Sequence, residues 1–90
     1  MIKKKAFILG VTGQDGSYMS KYLLDKKYLV FGFTRSKKKE NLKNLNTLKI
    51  VKKINLIKYN DDNPKFILKK ILKFKPNEIY FFSGQSSVNL

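Results

Sequence analysis

No cysteine and no histidine occur in the sequence, and these two absences exclude several kinds of functional site. Without cysteine, the chain can form neither disulfide bonds nor thiolate metal sites. Without histidine, it can supply neither a Ser-His pair nor an imidazole metal ligand, and no side chain titrates near neutral pH by default. We assign no metal site to this chain.

Long hydrophobic runs are also absent, which argues against membrane insertion. The apolar runs span only a few residues and are too short for a transmembrane helix. The apolar part of the N-terminal stretch MIKKKAFILG is likewise too short for a signal peptide. We expect a cytoplasmic protein with no membrane partner, and its 90 residues fit one small domain.

Acidic residues are scarce: 6 Asp and Glu stand against 20 Lys and Arg, a formal net charge of +14. Such a charge raises nucleic acid as a partner. However, Arg35 is the only arginine and the lysines are spread over every segment, whereas base recognition depends heavily on Arg and Asn. We expect a solvated lysine-rich surface and no nucleic-acid partner. A basic nucleic-acid-binding domain is an alternative that charge alone supports.

The sequence that is present alternates between strand-like and helix-like segments. Apolar, β-branched and aromatic runs predict strands over residues 5–9, 28–34, 54–59 and 78–82. Apolar residues at helical spacing predict helices over residues 17–27 and 64 to about 74. Asn63 suits the N-cap of the second helix, Pro64 suits its first position, and Pro76 ends it. Within residues 36–53, the spacing of three leucines indicates only a short, poorly anchored helix.

This order, βαβ(α)βαβ, predicts an α/β fold: the N-terminal half of a Rossmann-like, doubly wound parallel sheet with strand order 3-2-1-4. The carboxyl ends of strands 1 and 4 then open into one crevice, where ligands bind in such sheets. The loops at that place read GVTGQDG and SGQSS. Strand 4 would be an uncovered edge rich in Phe and Tyr, so we expect a truncated part of a longer enzyme.

The stretch GVTGQDG, residues 10–16, places a glycine at every third position directly after the first strand. Gly10 permits a tight turn, Gly13 lets the backbone approach a pyrophosphate, and Gly16 lets the helix pack close to the sheet. The helix N-terminus then offers free N–H groups to phosphates. An ordinary glycine-rich turn is the alternative, but the flanking strand and helix favour a dinucleotide site.

Arg35 follows the second strand, where an acidic residue would hold the ribose 2′-OH of NAD. Arg35, with Ser36 and Lys37 after it, suits a 2′-phosphate instead, so NADP is the predicted cofactor. A solvent-exposed arginine is the alternative. Asp61, after the third strand, is placed to accept a hydrogen bond from the adenine amino group, but Asp also favours turns, and the two interpretations weigh equally.

The stretch GVTGQDGSYMSKYLLDKKYLVFGFTR resembles the start of the GDP-mannose 4,6-dehydratase family, within the extended short-chain dehydrogenases/reductases. Gly10 to Tyr18 match the family's turn, G-[IV]-T-G-Q-D-G-S-Y, without a break, and the Gln-Asp pair separates it from most epimerases. The later segment KPNEIYFFSGQSSV is similar to the family's K-P-[DT]-E-I-Y-N-L-[AG]-A-Q-S-H-V. The resemblance covers both ends of the chain, with a looser middle.

The resemblance implies a set of cofactor-binding positions. The turn that wraps the pyrophosphate is matched by Gly10, Val11, Thr12, Gly13, Gln14, Asp15 and Gly16. The 2′-phosphate site is matched by Arg35, while Ser36 stands where the family has a second arginine, a departure that works against the NADP preference. The adenine site is matched by Asp61 and Asp62, where Asp62 replaces a leucine. The loop beside the nicotinamide ribose is matched by Phe82, Ser83, Gly84, Gln85 and Ser86, and Ser87 replaces a histidine.

The resemblance also implies an activity for the full-length enzyme, which is expected to be homo-oligomeric. It is a lyase that converts GDP-mannose to GDP-4-keto-6-deoxymannose with transient reduction of NADP. In the family, a Tyr-x-x-x-Lys pair, a Thr or Ser and a Glu supply acid and base. We assign none of these here, because Tyr22 and Lys26, which have that spacing, are interpreted as a packing aromatic and a surface lysine. This chain alone is expected to be inactive.

Two further alternatives and one hypothesis remain at this point. The chain could belong to another nucleotide-sugar epimerase or dehydratase of the same fold, which Ser87 supports, or be a non-catalytic nucleotide-binding fragment.

Asp15 is an unusual neighbour for a pyrophosphate. We hypothesise that Asp15 points away from the phosphates and stabilises the positive N-terminus of the first helix.

Overall fold

The computed structural model describes residues 2–60 and 63–82, which form one parallel sheet with helices on both faces. The strands are β1 (Lys5–Leu9), β2 (Leu29–Thr34), β3 (Asn55–Lys58) and β4 (Glu78–Phe81). The α-helices are α1 (Gln14–Asp25), α2 (Lys43–Thr47) and α3 (Pro64–Phe74). Short 3₁₀ helices cover Lys39–Leu42 and Val51–Lys53.

The strands pair in the order β3-β2-β1-β4, and every pairing is parallel. In the central register, Phe7 of β1 lies beside Phe31 of β2 and Ile79 of β4. The predicted α/β fold and strand order are therefore confirmed. Because the strands are parallel, the carboxyl ends of β1, β2 and β4 lie at the same edge of the sheet.

Some element boundaries differ from the prediction. Helix α1 begins at Gln14 rather than at Ser17, because Gly13 takes the N-cap position with an extended backbone (φ −74°, ψ 171°). Asn63 does precede α3, but its side chain makes no capping hydrogen bond. The middle segment contains α2, which is held to the sheet by the fully buried Leu45.

One apolar cluster lies on each face of the sheet, because side chains alternate along a strand. The cluster beneath α1 and α2 has as its buried members Ala6, Ile8, Val11, Leu23, Val30, Leu45, Ile50 and Ile54. The cluster beneath α3 has as its buried members Phe7, Leu9, Phe31, Phe33 and Tyr59. Phe74 of α3 packs on the second cluster, with its ring centroid 4.5 Å from that of Phe31.

Tyr22 is more exposed than predicted. The α1 residues that face the sheet are Gly16, Ser17, Ser20 and Leu23, which recur at helical spacing. Tyr22 lies beside that stripe and is 56% exposed, so its interpretation as a packing aromatic was wrong. The Lys26 ammonium lies over the Tyr22 ring, 5.4 Å from its centroid, as a surface cation–π pair.

Glu78, at the start of β4, accepts hydrogen bonds from two tyrosines. The Tyr28 hydroxyl donates to Oε2 at 2.7 Å, and the Tyr80 hydroxyl donates to Oε1 at 2.6 Å. Tyr28 immediately precedes β2, so this cluster joins β4 to a strand on the far side of β1. The hydrogen bonds from Tyr80 and Tyr28 lower the pKa of Glu78, and the hydrogen bond to Glu78 raises the pKa of Tyr80 to about 12.

We expect Tyr80 to ionise with a midpoint at about pH 12 in the folded chain, above the ordinary tyrosine pKa of 10.0. Ionisation would place a phenolate beside the Glu78 carboxylate and break their hydrogen bond. Because the folded pKa is raised, this bond stabilises the fold fully below pH 10.0, and its contribution is lost as the pH rises through about 12. Ultraviolet absorbance titration of the wild-type chain and of Tyr80→Phe isolates the Tyr80 component by difference.

Glu78→Gln is the matched control for this titration, because glutamine keeps the shape of the side chain and removes its charge. It should return the Tyr80 midpoint towards 10.0. In wild type, the ionised Glu78 stabilises the fold above its ordinary pKa of 4.5, and this stability is lost as the pH falls through the lowered pKa. Glu78→Gln should lack this pH-dependent stability. A Tyr80 midpoint near 10.0 in a wild-type chain with unchanged circular dichroism would contradict the assignment.

Candidate functional site

The turn after β1 is built on Gly10, whose backbone is left-handed with a φ of 86°. Residues with a Cβ are strained in this conformation, so the turn requires glycine. The N–H groups of Gly10 and Val11 both donate to the Phe33 carbonyl, at 3.0 and 3.2 Å. The Gly13 N–H donates to the Gly10 carbonyl at 3.1 Å. These bonds attach the turn to the carboxyl end of β2.

Gly16 lies in the first helical turn of α1, against the backbone of Gly10 and Val11, which directly follow β1. A Cβ at Gly16 would lie 2.3 Å from the Gly10 carbonyl oxygen and 3.0 Å from the Val11 Cα. Ser17 is buried, and its hydroxyl donates to the Val11 carbonyl at 2.9 Å. The missing side chain at position 16 therefore keeps the first turn of α1 close to the sheet.

A pocket of about 290 Å³ opens at this edge of the sheet. Its lining consists of Gly10, Thr12, Gly13, Thr34, Arg35, Ser36, Asn41, Tyr59 and Phe82. Of these described lining residues, Arg35 alone carries a charge, and none is acidic. A pocket that combines a helix N-terminus, hydroxyl groups and one guanidinium suits an anionic ligand.

Hydrogen bonds join the two sides of the pocket through Thr34, the last residue of β2. Its hydroxyl lies 3.4 Å from the Thr12 hydroxyl and donates to the Ser36 carbonyl at 2.9 Å. Asn44, from α2, donates its amide to the Thr12 carbonyl at 3.0 Å. Asn41 donates its amide to Ser36 Oγ at 2.9 Å. The segment between β2 and β3 thus forms one wall of the pocket.

Sequence reasoning did not single out Thr34, Asn41 or Asn44. The position of Thr34 at the carboxyl end of β2, directly before Arg35, is a signal that could have identified it. The two asparagines lie within residues 36–53, where hydrophobic periodicity is weak. No signal in the sequence alone places the Asn41 amide at the pocket or the Asn44 amide at the Thr12 carbonyl, because both depend on how the segment folds back over the glycine turn.

The sequence profile described as GDP-mannose 4,6 dehydratase matches residues 7–90. The chain belongs to the GDP-mannose 4,6-dehydratase family. The GDP-mannose 4,6 dehydratase 1 of Arabidopsis thaliana is 35% identical over 96% of this chain and 26% of its own length. The Vibrio cholerae GDP-mannose 4,6-dehydratase is 37% identical over 97% of this chain and 25% of its own length. The Homo sapiens GDP-mannose 4,6 dehydratase is 35% identical over 94% of this chain and 24% of its own length. The predicted family is confirmed, and the chain spans about a quarter of the length of these curated relatives.

The positions that the GDP-mannose 4,6-dehydratase resemblance implied fall into several environments. Those that line the pocket are Gly10, Thr12, Gly13, Arg35, Ser36 and Phe82. Val11 and Gly16 are buried. A Cβ at Gly32 of β2 would lie 2.7 Å from Val11 Cγ2, so glycine there leaves room for Val11. The positions outside the described residues are Asp61, Asp62, Ser83, Gly84, Gln85 and Ser86, together with Ser87.

Gln14 and Asp15 are exposed in the first turn of α1, and neither is among the residues that line the 290 Å³ pocket. Asp15 lines a neighbouring depression of about 450 Å³, together with Tyr18, Met19, Tyr22 and Phe82. A carboxylate in the first turn of a helix is stabilised by the partial positive charge of the helix N-terminus. The hypothesis that Asp15 points away from the phosphates stays a prediction.

Within residues 2–60 and 63–82, no group of three or more His, Cys, Asp or Glu side chains could hold a metal ion. None of the helices described there has the length and apolar character needed to cross a membrane.

Proposed function

We propose that residues 1–90 are the cofactor-binding, N-terminal portion of the Rossmann domain of an NADP-dependent nucleotide-sugar dehydratase. The observation that carries the proposal is the pocket where the glycine turn meets Arg35, with no acidic side chain among its described lining residues. Membership of the GDP-mannose 4,6-dehydratase family supports the reaction. The full-length enzyme would convert GDP-mannose to GDP-4-keto-6-deoxymannose and would be classed as a lyase.

The glycine turn is suited to a pyrophosphate because it leaves the backbone accessible. A Cβ at Gly13 would come within 4 Å only of the Gly10 carbonyl oxygen, at 3.5 Å, so packing does not require glycine there. The open space beside Gly13 instead lets a ligand approach the backbone. The first N–H groups of α1 have no acceptor within the helix and are available to phosphate oxygens.

Arg35 is the residue that we assign to the 2′-phosphate of NADP. It is exposed at the rim of the pocket, directly after the last residue of β2. The planar guanidinium matches two phosphate oxygens at once. Arg35 and the glycine turn would bind and orient NADP, which would supply a reversible hydride acceptor when bound.

The acid and base of the reaction are proposed to come from residues other than those of this chain. Tyr22 has the Tyr-x-x-x-Lys spacing with Lys26, but the two form a surface cation–π pair on α1. We therefore expect no turnover of GDP-mannose by these 90 residues. A related nucleotide sugar is the second candidate substrate, which Ser87 favours because it replaces the histidine usual in the family. Cytoplasmic location and homo-oligomerisation stay predictions from the sequence and the resemblance.

Isothermal titration calorimetry of the full chain with NADP and with NAD tests the proposal. We expect NADP to bind at least about tenfold more tightly, the contribution of one charge-assisted contact to the 2′-phosphate. Equal affinities would contradict the NADP assignment. Binding of neither nucleotide would contradict the dinucleotide site itself. Salt-dependent binding of duplex DNA that NADP does not compete would favour the nucleic-acid alternative.

A further inference from the structure

Ser36 lines the pocket at the position where the family usually has a second arginine, so a neutral hydroxyl stands there in place of a cation. The backbone of Ser36 is held by Thr34. The Ser36 N–H donates to Thr34 Oγ1 at 3.2 Å, and the Thr34 hydroxyl donates to the Ser36 carbonyl at 2.9 Å. Ser36 is therefore fixed relative to the end of β2.

The Ser36 hydroxyl accepts two hydrogen bonds from the segment that follows it. The Lys38 N–H donates to Ser36 Oγ at 3.2 Å, and the Asn41 amide donates to the same oxygen at 2.9 Å. A serine hydroxyl has two lone pairs and one proton. These two donors occupy both lone pairs, so the hydroxyl can act towards a further group only as a hydrogen-bond donor.

Asn41 is itself held in place by the local fold. It lies in the 3₁₀ helix Lys39–Leu42, and its N–H donates to the Lys38 carbonyl at 2.8 Å. Lys38 and Asn41 thus approach Ser36 Oγ from one short, hydrogen-bonded segment. Both Ser36 and Asn41 line the 290 Å³ pocket.

We propose that Asn41 is a specificity-determining positioning residue, which keeps the Ser36 hydroxyl as a donor to the 2′-phosphate of the dinucleotide. The inference rests on the proposed NADP site and deepens it. A phosphate oxygen accepts hydrogen bonds and carries charge, so it gains more from a pre-oriented donor than a neutral 2′-hydroxyl does. Preference for the phosphate then comes from Arg35 together with an oriented neutral hydroxyl, instead of from two arginines.

The test uses the full chain and two probes, adenosine 2′,5′-bisphosphate and adenosine 5′-monophosphate, whose binding is measured by calorimetry. Ser36→Ala should lower the affinity for the 2′,5′-bisphosphate about tenfold, the loss of one charge-assisted hydrogen bond, and leave the monophosphate unchanged. Ser36→Thr keeps the hydroxyl and should retain most of the preference. Asn41→Leu should lower the bisphosphate affinity about threefold to tenfold, since the hydroxyl is no longer held.

The double variant Ser36→Ala, Asn41→Leu separates positioning from direct contact. If Asn41 acts through Ser36, the double variant should bind the bisphosphate as weakly as Ser36→Ala alone. A further loss in the double variant would mean that Asn41 touches the ligand itself, which overturns the proposal. An unchanged or increased bisphosphate preference in Asn41→Leu would also overturn it, because the Ser36 proton would then have pointed at Asn41.

Asn46→Leu is the matched control, because Asn46 is an exposed asparagine of the same segment that is not among the residues lining the pocket. It should leave both affinities unchanged. Circular dichroism checks that each variant is folded. If Asn41→Leu does not fold, the bisphosphate affinity of Ser36→Thr is compared with that of Ser36→Ala instead. If the wild-type chain binds neither probe, the proposed function and this inference are both overturned. If the wild-type chain prefers the bisphosphate and the variants keep the same preference, the inference alone is overturned.

Discussion

Replacing Gly16 with alanine is expected to lower the free energy of unfolding by about 3 kcal/mol or more, at the upper end of overpacking costs. The added Cβ would lie 2.3 Å from the Gly10 carbonyl oxygen, and that carbonyl is held by the Gly13 N–H. Because the obstacle is backbone, no side-chain rotation relieves the contact. Helix propensity alone predicts the opposite result, since alanine is favoured over glycine by about 1 kcal/mol. Urea unfolding followed by circular dichroism measures the change.

Gly13→Ala is the matched control for this prediction. Gly13 has a φ of −74°, which any residue adopts, and its Cβ would lie 3.5 Å from the same carbonyl oxygen. We expect its free energy of unfolding to change by less than about 1 kcal/mol, while NADP binding weakens because the methyl group enters the open space beside the turn. Wild-type stability in Gly16→Ala would show that α1 does not approach β1 as closely as described.

Arg35→Ala is expected to reduce the affinity for NADP by about 10-fold to 100-fold and to leave the affinity for NAD within about twofold. Hydrogen bonds to charged groups contribute about 1.5–3 kcal/mol, which corresponds to this range. NAD carries no 2′-phosphate, so it should not detect the substitution. Arg35→Lys should recover only part of the loss, because an ammonium keeps the charge but not the planar pair of donors. Calorimetry with both dinucleotides measures each affinity.

Lys37→Ala separates a specific contact from the general positive charge of the chain. Lys37 is exposed two positions after Arg35 and is not among the residues that line the pocket. Its removal should change NADP affinity much less than the removal of Arg35 does. Equal losses in the two variants, both disappearing at high salt, would indicate screened long-range attraction and would refute a dedicated 2′-phosphate site.

Strongly patterned segments were predicted well from the sequence. The range Lys5–Leu9 and the range Pro64–Phe74 agree with the structure, because a short apolar run and a proline-started amphipathic stretch are local signals. The strand order followed from alternation of strands and helices and from the handedness of parallel crossovers. The family was recognisable because Gly10 to Tyr18 form an uninterrupted motif.

Other features depend on contacts between segments distant in the sequence. The exposure of Tyr22 depends on which face of α1 packs against the sheet. The sequence of this twelve-residue helix is compatible with more than one such face. The N-cap at Gly13 follows from the turn's attachment to the Phe33 carbonyl. The positions of Asn41 and Asn44 follow from the return of residues 36–53 over the glycine turn.

The sequence by itself determined the α/β fold class, the parallel sheet and the identity of the glycine turn, because these depend on local periodicity and on residues with special backbone freedom. Tertiary structure decided which side chains share the pocket. Thr12 of the glycine turn meets Thr34 at the end of β2, and Asn41 meets Ser36 only because a weakly patterned segment is anchored by the buried Leu45. Such contacts depend on packing across the whole sheet, so a one-dimensional pattern does not contain them.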